Sequence, residues 1–456
     1  MALSIIILAA GQGTRMKSDR PKVIHHLAGK PMLQHVVDTS KALEPDQIIV
    51  VIGHKAESVK ASMVGQSLKF IEQKEQLGTG HAVGQCLSEL PSGNDVLVLT
   101  GDVPLVTETT IKQLLSNSKK VDVNILSFLP ETPFGYGRII RNDDQSVSAI
   151  VEQKDANESQ QKVIESNSGI IFISGKHVSQ LVDQIDNKNA QSEYYLTDVV
   201  KHAARQGLRV NATVCNDANE VNGVNNQKQL SEVEALYRRR IAEKLMMAGA
   251  KLYDPMRIDV RGELSVGKDV EIDINCIFEG EVSLGDNVSV GAGCIISNSS
   301  IGSDTVILPF SIVDDSSVGE NASIGPFSRL RPGTKCANNT KIGNFVETKK
   351  SIIGDGSKVN HLSYVGDATI GKHVNIGAGT ITCNYDGVNK FETVIEDHVF
   401  IGSDTQLIAP VTIGRGATIG AGSTITRNTP EQQLTLSRSK QVSISSWQRP
   451  TKVVKG

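Results

Sequence analysis

The sequence predicts a mixed α/β chain in three parts: an α/β sheet domain over residues 1–227, a linker helix over 228–248, and a triangular coil of parallel strands over 249–456. Three observations predict it. Continuous apolar runs, Ser4–Ala10 and Asp95–Leu99, lead into glycine-containing turns, as strands buried on both faces of a parallel sheet do. Leu230, Val233, Tyr237, Ile241 and Leu245 recur at helical spacing. From about Val266 to Thr426, small aliphatic residues recur at every sixth position. Ile401, Leu407, Ile413, Ile419 and Ile425 form one unbroken series, Val318, Ile324, Leu330, Cys336 and Ile342 a second, and Leu284, Val290 and Ile296 a third. Six misses the helical period of 3.6. It suits a chain that turns a corner after each short strand and points one aliphatic side chain inward per side. Three sides close a coil of about 18 residues, and coils stack at the strand spacing of about 4.8 Å. The stretch then holds about nine coils, a prism roughly 40 Å long. Stacking buries the inward row, which a single coil cannot do. Glycine often follows the aliphatic residue and is expected to supply the positive φ of the corner. A β-sandwich with glycine-rich turns is the alternative, and the run of in-phase steps argues against it.

Composition narrows the function. The 456 residues suggest two to three domains. Lys plus Arg number 47 against 50 Asp plus Glu, and a net charge of −3 gives no support to nucleic-acid or membrane-surface binding. Cys86, Cys215, Cys276, Cys294, Cys336 and Cys383 form no Cys-x-x-Cys pair, which argues against a thiolate zinc site and for reduced thiols in a cytoplasmic setting. No apolar run reaches the ~18 residues of a membrane span, so no stable membrane insertion is expected. Leu3–Ala10 lacks a basic flank and reads as a first strand rather than a signal peptide.

Along the chain, that strand runs into Gly11-Gln12-Gly13-Thr14-Arg15-Met16, followed by Pro21-Lys22. A glycine-rich turn after a parallel strand presents backbone N–H groups to phosphate oxygens. It is neither a Walker loop nor a dinucleotide fingerprint, whose third glycine is replaced by Met16. In Glu72–His81, Gly78-Thr79-Gly80 permits close backbone approach and Gln73 can pair with a base edge. Asp102 stands at the carboxyl end of a buried strand, where open α/β sheets bind ligands. A carboxylate facing two phosphates suggests Mg²⁺, and a helix cap is the competing role.

Leu8-Ala9-Ala10-Gly11-x-Gly13-Thr14-Arg15-Met16 with Pro21-Lys22 resembles the signature of sugar-1-phosphate nucleotidyltransferases, which have a Rossmann-like mixed sheet. The resemblance implies that Leu8, Ala9, Ala10 and Gly11 contact the nucleotide. It makes Arg15 and Lys22 the catalytic cations on its phosphates. It assigns uracil reading to Gln73, Gly78 and Thr79, and contacts with UTP or the UDP-sugar to Thr100, Gly101 and Asp102. It places Gly137, Glu152 and Asn167 on sugar or ribose hydroxyls, and makes Asn225 the second Mg²⁺ ligand beside Asp102. The family often has Tyr where Thr100 stands, and close relatives usually have Glu where Asn222 stands.

Arg238-Arg239-Arg240 reads as the solvated face of the linker helix. Beyond it, the six-residue spacing resembles the left-handed hexapeptide-repeat β-helix, whose members are often trimeric acyltransferases. The phase lapses after Ile376 and resumes by Ile401, which predicts a loop thrust from one corner, Asn384–Lys390. His361 occupies no inward position. Arg331, Lys349, Tyr364 and Asn375 lie within three coils of one another. Histidine, with a free pKa of about 6.5, can take a proton from an attacking amine, and the cations suit a sugar phosphate.

End to end, the chain resembles the bacterial family of bifunctional N-acetylglucosamine-1-phosphate uridyltransferases and glucosamine-1-phosphate N-acetyltransferases. The resemblance implies that His361 is the general base, with Glu347 as an orienting partner. It implies that Arg331, Lys349, Tyr364 and Asn375 hold glucosamine 1-phosphate, and that Ala378, Asn384, Tyr385, Ser403, Ala421 and Arg438 bind acetyl-CoA. It further implies a homotrimer that shares the acetyl site, with the tail Arg438–Gly456 packed on a neighbouring chain. The product would be UDP-N-acetylglucosamine for cell-envelope synthesis. The rival is a single-activity sugar-1-phosphate nucleotidyltransferase with a structural or regulatory β-helix. A non-catalytic scaffold would leave His361 and the metal ligands without a role. Cys383 stands near the acetyl site as a possible nucleophile.

Overall fold

A computed structural model describes residues 2–452 and divides the chain into two compact units, Met1–Arg240 and Ile241–Gly456. The first is built on a nine-stranded mixed sheet. Its strands are β1 (Leu3–Leu8), β2 (Gln47–Ile52), β3 (Lys69–Glu72), β4 (Asp95–Thr100), β5 (Val123–Phe128), β6 (Arg138–Arg141), β7 (Val147–Val151), β8 (Ser166–Ile173) and β9 (Val210–Val214). The order along the main path is β9-β5-β8-β4-β1-β2-β3. β1 pairs in parallel with β2 and β4, and β8 runs antiparallel between β4 and β5. Helices α1 (Met32–Lys41), α2 (Thr79–Gly84), α3 (Glu108–Ser118) and α4 (Asp198–Arg205) connect the strands.

Strand alternation sends neighbouring side chains to opposite faces. Ile6, Val96 and Val98 join one buried cluster, while Ile5, Ile7, Leu97 and Leu99 join another. This two-sided burial explains why β1 and β4 read as unbroken apolar runs. Their carboxyl ends, Leu8 and Thr100, lie side by side in the ladder and deliver the two loops that carry chemistry.

Helix α5 (Gln227–Met247) follows. Leu230, Val233, Leu236 and Tyr237 pack on Met16, Leu27, Met32, Leu105 and Val224 in the first unit. Ala242 and Leu245 belong to the core of the second. The basic run is less solvated than its composition implies, because Arg240 donates to the Leu105 carbonyl at 2.8 Å.

In the second unit, parallel strands stack into a β-helix with one aliphatic side chain inward per strand. Ile272, Val290, Ile307, Ile324, Ile342, Val359, Ile376, Ile401 and Ile419 form one inward column, and all are buried. The stack exceeds the nine coils expected from the clear repeat. This column has eleven strands, from Lys251–Leu252 to Leu434–Thr435. The terminal rungs escaped the pattern because their side chains are only partly buried or exposed.

The corner chemistry also differs from the expectation. The glycine after the inward residue does not, as a rule, take positive φ. It is glycine because the next coil leaves no room: a Cβ on Gly302 would lie 2.6 Å from the Gly319 carbonyl carbon, and one on Gly402 2.5 Å from the Ala421 nitrogen. The left-handed conformation falls two residues after the glycine, on Asn287, Asp304, Asn321 and His373, and on Asn339 and His398 at the same corner position where Ala337 and Glu396 replace the glycine, with φ between 53° and 60°. Asn and Asp tolerate that region better than other side chains. Ile376 and Ile401 are rung partners 25 residues apart, against 17 or 18 for the other rungs between Ile272 and Ile419. The extra residues form the loop after Cys383, and Thr393–Ile395 resumes the ladder.

Candidate functional site

Two sites emerge, one in each unit. The first is a cavity of about 470 Å³ at the carboxyl ends of β1 and β4. Leu8, Ala9, Ala10, Gly11, Gln12, Lys22, Gln73, Gly78, Thr79, Thr100 and Asp102 line it. Gly13 takes φ 64°, and a Cβ there would sit 2.8 Å from Lys22 Cβ, so a side chain would force the turn away from the lysine. The Lys22 ammonium donates to Asp102 Oδ2 and, at 3.1 Å, to Asn225 Oδ1. Arg15 Nη2 donates to the same Asn225 oxygen at 2.9 Å. Val224 N–H donates to the Asp102 carbonyl at 2.9 Å, which fixes the Asn225 segment against Asp102 although 123 residues separate them. The carboxylate and the amide oxygen thus share one cation. Such a pair of oxygen donors fits a divalent metal whose other positions phosphate oxygens and water complete. Among the described residues, no cluster of three or more His, Cys, Asp or Glu could hold a metal alone.

Gly78 takes φ 114° and lies so close to Tyr194 that a Cβ would meet its carbonyl oxygen at 2.5 Å. Leu196 N–H donates to Thr79 Oγ1 at 3.0 Å. Gln73 is buried, and its Nε2 is 3.0 Å from both the Gly78 carbonyl and His81 Nδ1. The Asn167 N–H donates to the Gly137 carbonyl at 2.8 Å, and the Glu152 carboxylate accepts from Thr197 Oγ1 at 3.1 Å. Burial pushes the Glu152 carboxyl above the usual carboxylate range, against the opposing hydrogen bond from Thr197. A register break in β8 between Asn167 and Ile171 re-aims Asn167. Arg138 is 1 % exposed and ties the turn down: its Nη2 donates to Gln153 Oε1 at 2.9 Å, and Gly135 N–H donates to the same oxygen at 3.1 Å. Thr100 Oγ1 is buried without a hydrogen-bond partner among the described residues. Gly101 packs under the Leu8 carbonyl. Sequence reasoning missed Gln12, Gln76 and Glu193 as lining residues, since no local motif marks them.

In the β-helix, His361 ends the strand Lys358–His361 and is exposed. Its Nδ1 lies 2.9 Å from Asn344 Oδ1, one rung below. An amide oxygen only accepts, so Nδ1 is the donor, and in the neutral tautomer that this selects the lone pair is on Nε2. The side chain hydrogen-bonded to the ring is therefore Asn344 and not Glu347. The Glu347 carboxylate is taken by Arg331, whose Nη1 lies 2.7 Å from Oε1. The Lys349 ammonium is held below the ordinary lysine range, chiefly by Lys390 and further by Arg331. Lys390, from the inserted loop, is thus a third cation at this cluster that spacing did not single out. Tyr364 pairs in register with Glu347, and Gly366 has no side chain where the Tyr364 hydroxyl lies. Asn375 stands on the other column, opposite Lys358. Among the described residues, no hydrogen bond or ion pair joins His361 to Arg331, Lys349 or Tyr364.

The remaining residues follow one corner upward. Asp404 N–H donates to the Ala378 carbonyl at 2.7 Å, and Gly422 N–H to the Ser403 carbonyl at 2.8 Å. Arg438 folds back on its own chain, where Nη1 donates to the Ala421 carbonyl at 2.9 Å. Asn384 donates to Asp367, and Tyr385 is exposed on the loop. From Ser439 to Lys452 no helix or strand forms, and the last four residues of the tail lie outside the described residues. Burial pushes the Cys383 thiol up, away from a reactive thiolate.

Family models match three stretches: a MobA-like NTP transferase domain over residues 5–168, a GMPPB C-terminal domain over 260–337, and a bacterial transferase hexapeptide of six repeats over 392–427. The chain is 53% identical over 450 residues to the "Bifunctional protein GlmU" of Marinobacter nauticus, covering 99% of each chain. It is 52% identical over 453 residues to the protein of that name from Cupriavidus pinatubonensis, covering 99% of this chain and 100% of that one. Identity of this extent spans both units and leaves neither as an unrelated addition, so the chain belongs to the GlmU family of bifunctional proteins.

Proposed function

We infer that the chain catalyses two successive steps: acetylation of glucosamine 1-phosphate by acetyl-CoA, then transfer of UMP from UTP to N-acetylglucosamine 1-phosphate. The products are UDP-N-acetylglucosamine, a cell-envelope precursor, and pyrophosphate. The uridylyl site belongs to residues 1–227 and the acetyl site to 249–456. The observation that carries the reading is that each unit holds its own phosphate-seeking cations beside a different reactive group. Lys22 and Arg15 flank Asp102 and Asn225, while Arg331, Lys349 and Lys390 lie on the rod that presents His361.

In the acetyl step, the amine nitrogen attacks the thioester carbonyl as His361 Nε2 accepts its proton. The new C–N bond replaces the C–S bond, and the departing thiolate takes the proton from the imidazolium. Asn344 holds the ring so that Nε2 faces the reaction. Arg331, Lys349 and Lys390 bind the sugar phosphate, with Tyr364 and Asn375 on the sugar. Ala378, Asn384, Tyr385, Ser403, Ala421 and Arg438 bind the coenzyme. We assign the assembly as a homotrimer, which brings a neighbour's residues to His361. The hexapeptide repeats support this, since they are compatible with oligomerisation.

In the uridylyl step, an oxygen of the sugar phosphate attacks the α-phosphorus of UTP, and the α–β bridging bond breaks. The nucleophile is already an anion, so no base is needed. The Gly11–Gly13 amides, Arg15 and Lys22 stabilise the charge that develops on pyrophosphate. Mg²⁺ held by Asp102 and Asn225 would add electrostatic stabilisation of the phosphates. Gln73, Gly78 and Thr79 read uracil, and Gly137, Glu152 and Asn167 hold sugar or ribose hydroxyls.

No helix among the described residues is long and apolar enough to cross a membrane, and all six cysteines are free. The free thiols support a cytoplasmic setting. Two assays test the reading: thiol release from acetyl-CoA with glucosamine 1-phosphate, and pyrophosphate release from UTP with N-acetylglucosamine 1-phosphate and Mg²⁺. His361→Ala abolishes the first and spares the second, and Asp102→Ala does the reverse. Equal loss of both activities in either variant overturns the assignment.

A further inference from the structure

The column that carries His361 presents two cations that the reading above does not use. Strands Lys341–Asn344 and Lys358–His361 pair in parallel, with Lys341 opposite Lys358 and Asn344 opposite His361. The next rung places Asn375 opposite Lys358. Both lysines are exposed, and neither makes an ion pair or a side-chain hydrogen bond with the described residues. Some basic residues elsewhere on the rod find carboxylates, as Lys251 with Glu271 at 3.0 Å and Arg261 with Glu279 at 2.8 Å, whereas Lys341 and Lys358 are adjacent in the ladder and have none among the described residues.

These two lysines open instead onto a cavity of about 490 Å³ whose far end is formed by Asn344, Asn360 and His361. Gly343 lines its floor, and a Cβ there would meet the Asn360 carbonyl oxygen at 1.9 Å, so the floor stays bare. Two ammonium groups on adjacent strands stand about 4.8 Å apart at their origins and repel each other. An anion between them removes that repulsion and gains two charge-assisted hydrogen bonds. A phosphate has the charge and the number of oxygens to meet both.

We propose that Lys341 and Lys358 form a phosphate subsite opening onto His361, separate from the Arg331–Lys349–Lys390 cluster. Its ligand is a phosphate of coenzyme A, since the Arg331–Lys349–Lys390 cluster takes the one phosphate of the amino sugar. The inference rests on the acetyl-transfer reading. It is tested on the full chain with Lys341→Met, Lys358→Met, the double variant and the corresponding arginine variants, by thiol release with each substrate varied in turn. Each methionine raises KM for acetyl-CoA by about tenfold and the pair by about a hundredfold, as loss of one or two charge-assisted hydrogen bonds requires. The kcat changes less than threefold by the same argument, because the contacts are equal in ground and transition states, and arginine restores most of the loss.

KM for acetyl-CoA rises and KM for S-acetylpantetheine does not. A rise in KM for glucosamine 1-phosphate, with KM for acetyl-CoA unchanged, overturns the assignment of this subsite to coenzyme A. Unchanged KM values for both substrates, in a double variant that melts like the wild type, overturn the subsite. A wild-type chain that releases no thiol overturns the acetyl-transfer reading itself, and the subsite falls with it.

Discussion

Replacing Asn344 with alanine removes the one acceptor that the described residues offer the His361 Nδ1 proton, a contact of 2.9 Å, while leaving every inward residue of the rod in place. With the imidazole neutral this is a bond between neutral groups, worth about 0.5–1.5 kcal/mol. When Nε2 takes the amine proton the donor becomes a cation, and such a bond is worth about 1.5–3 kcal/mol. Only the difference between the two states slows the chemical step. That difference is about 1–1.5 kcal/mol, a roughly five- to fifteenfold loss in kcat. An imidazole free to turn adds to this, so the loss lies between about tenfold and a hundredfold. Thiol release at saturating acetyl-CoA, with glucosamine 1-phosphate varied, measures it, and uridylyl transfer serves as the internal control. Glu347→Gln provides the contrast: its carboxylate is held by Arg331, so kcat stays within about threefold of wild type. An unchanged kcat in Asn344→Ala, or a larger loss of kcat in Glu347→Gln, would return the orienting role to Glu347.

Three further outcomes follow from the geometry. Glu152→Gln removes a buried charge and keeps the amide oxygen for Thr197, so at pH 7–8 the first unit melts a few degrees higher while UDP-sugar synthesis falls. The sign follows from the raised carboxyl: ionising it above its unfolded range costs stability that protonation at lower pH restores, so the gain shrinks in acid. Lys349, held low by Lys390 and Arg331, loses its charge at lower pH than an ordinary lysine. In Lys390→Ala, the alkaline fall of kcat/KM for glucosamine 1-phosphate therefore moves to higher pH, while kcat/KM at neutral pH drops. Gly302→Ala puts a Cβ 2.6 Å from the Gly319 backbone and destabilises the rod by about 1–3 kcal/mol, measured by denaturant unfolding.

The rod was legible because its signal is one aliphatic side chain per side, repeated without compensation from neighbours. Ile401, Leu407, Ile413 and Ile419 occupy consecutive inward positions and are all buried. The corners were misread because glycine permits two different things. Sequence suggested left-handed φ, whereas Gly302 and Gly402 are small for want of space and Asp304 and Asn321 carry the φ. In the sheet unit, the ordered motifs marked Asp102 and Lys22, but not that one ammonium bridges Asp102 and Asn225. Asn344 escaped notice because its partner lies 17 residues on, one full coil away, where no local pattern operates. A search at the coil period rather than the strand period would have found it. Lys390 lay inside a loop that broken phase had flagged, yet only stacking brings it to Lys349.

The 25-residue rung has a consequence for how such a molecule changes over time. Ile376 meets Ile401 in the ordinary way, and the interior column takes no account of what was spliced between them. Appendages at a corner can be lengthened, exchanged or removed without repacking the shaft. New chemistry can therefore be grafted onto an old support one loop at a time.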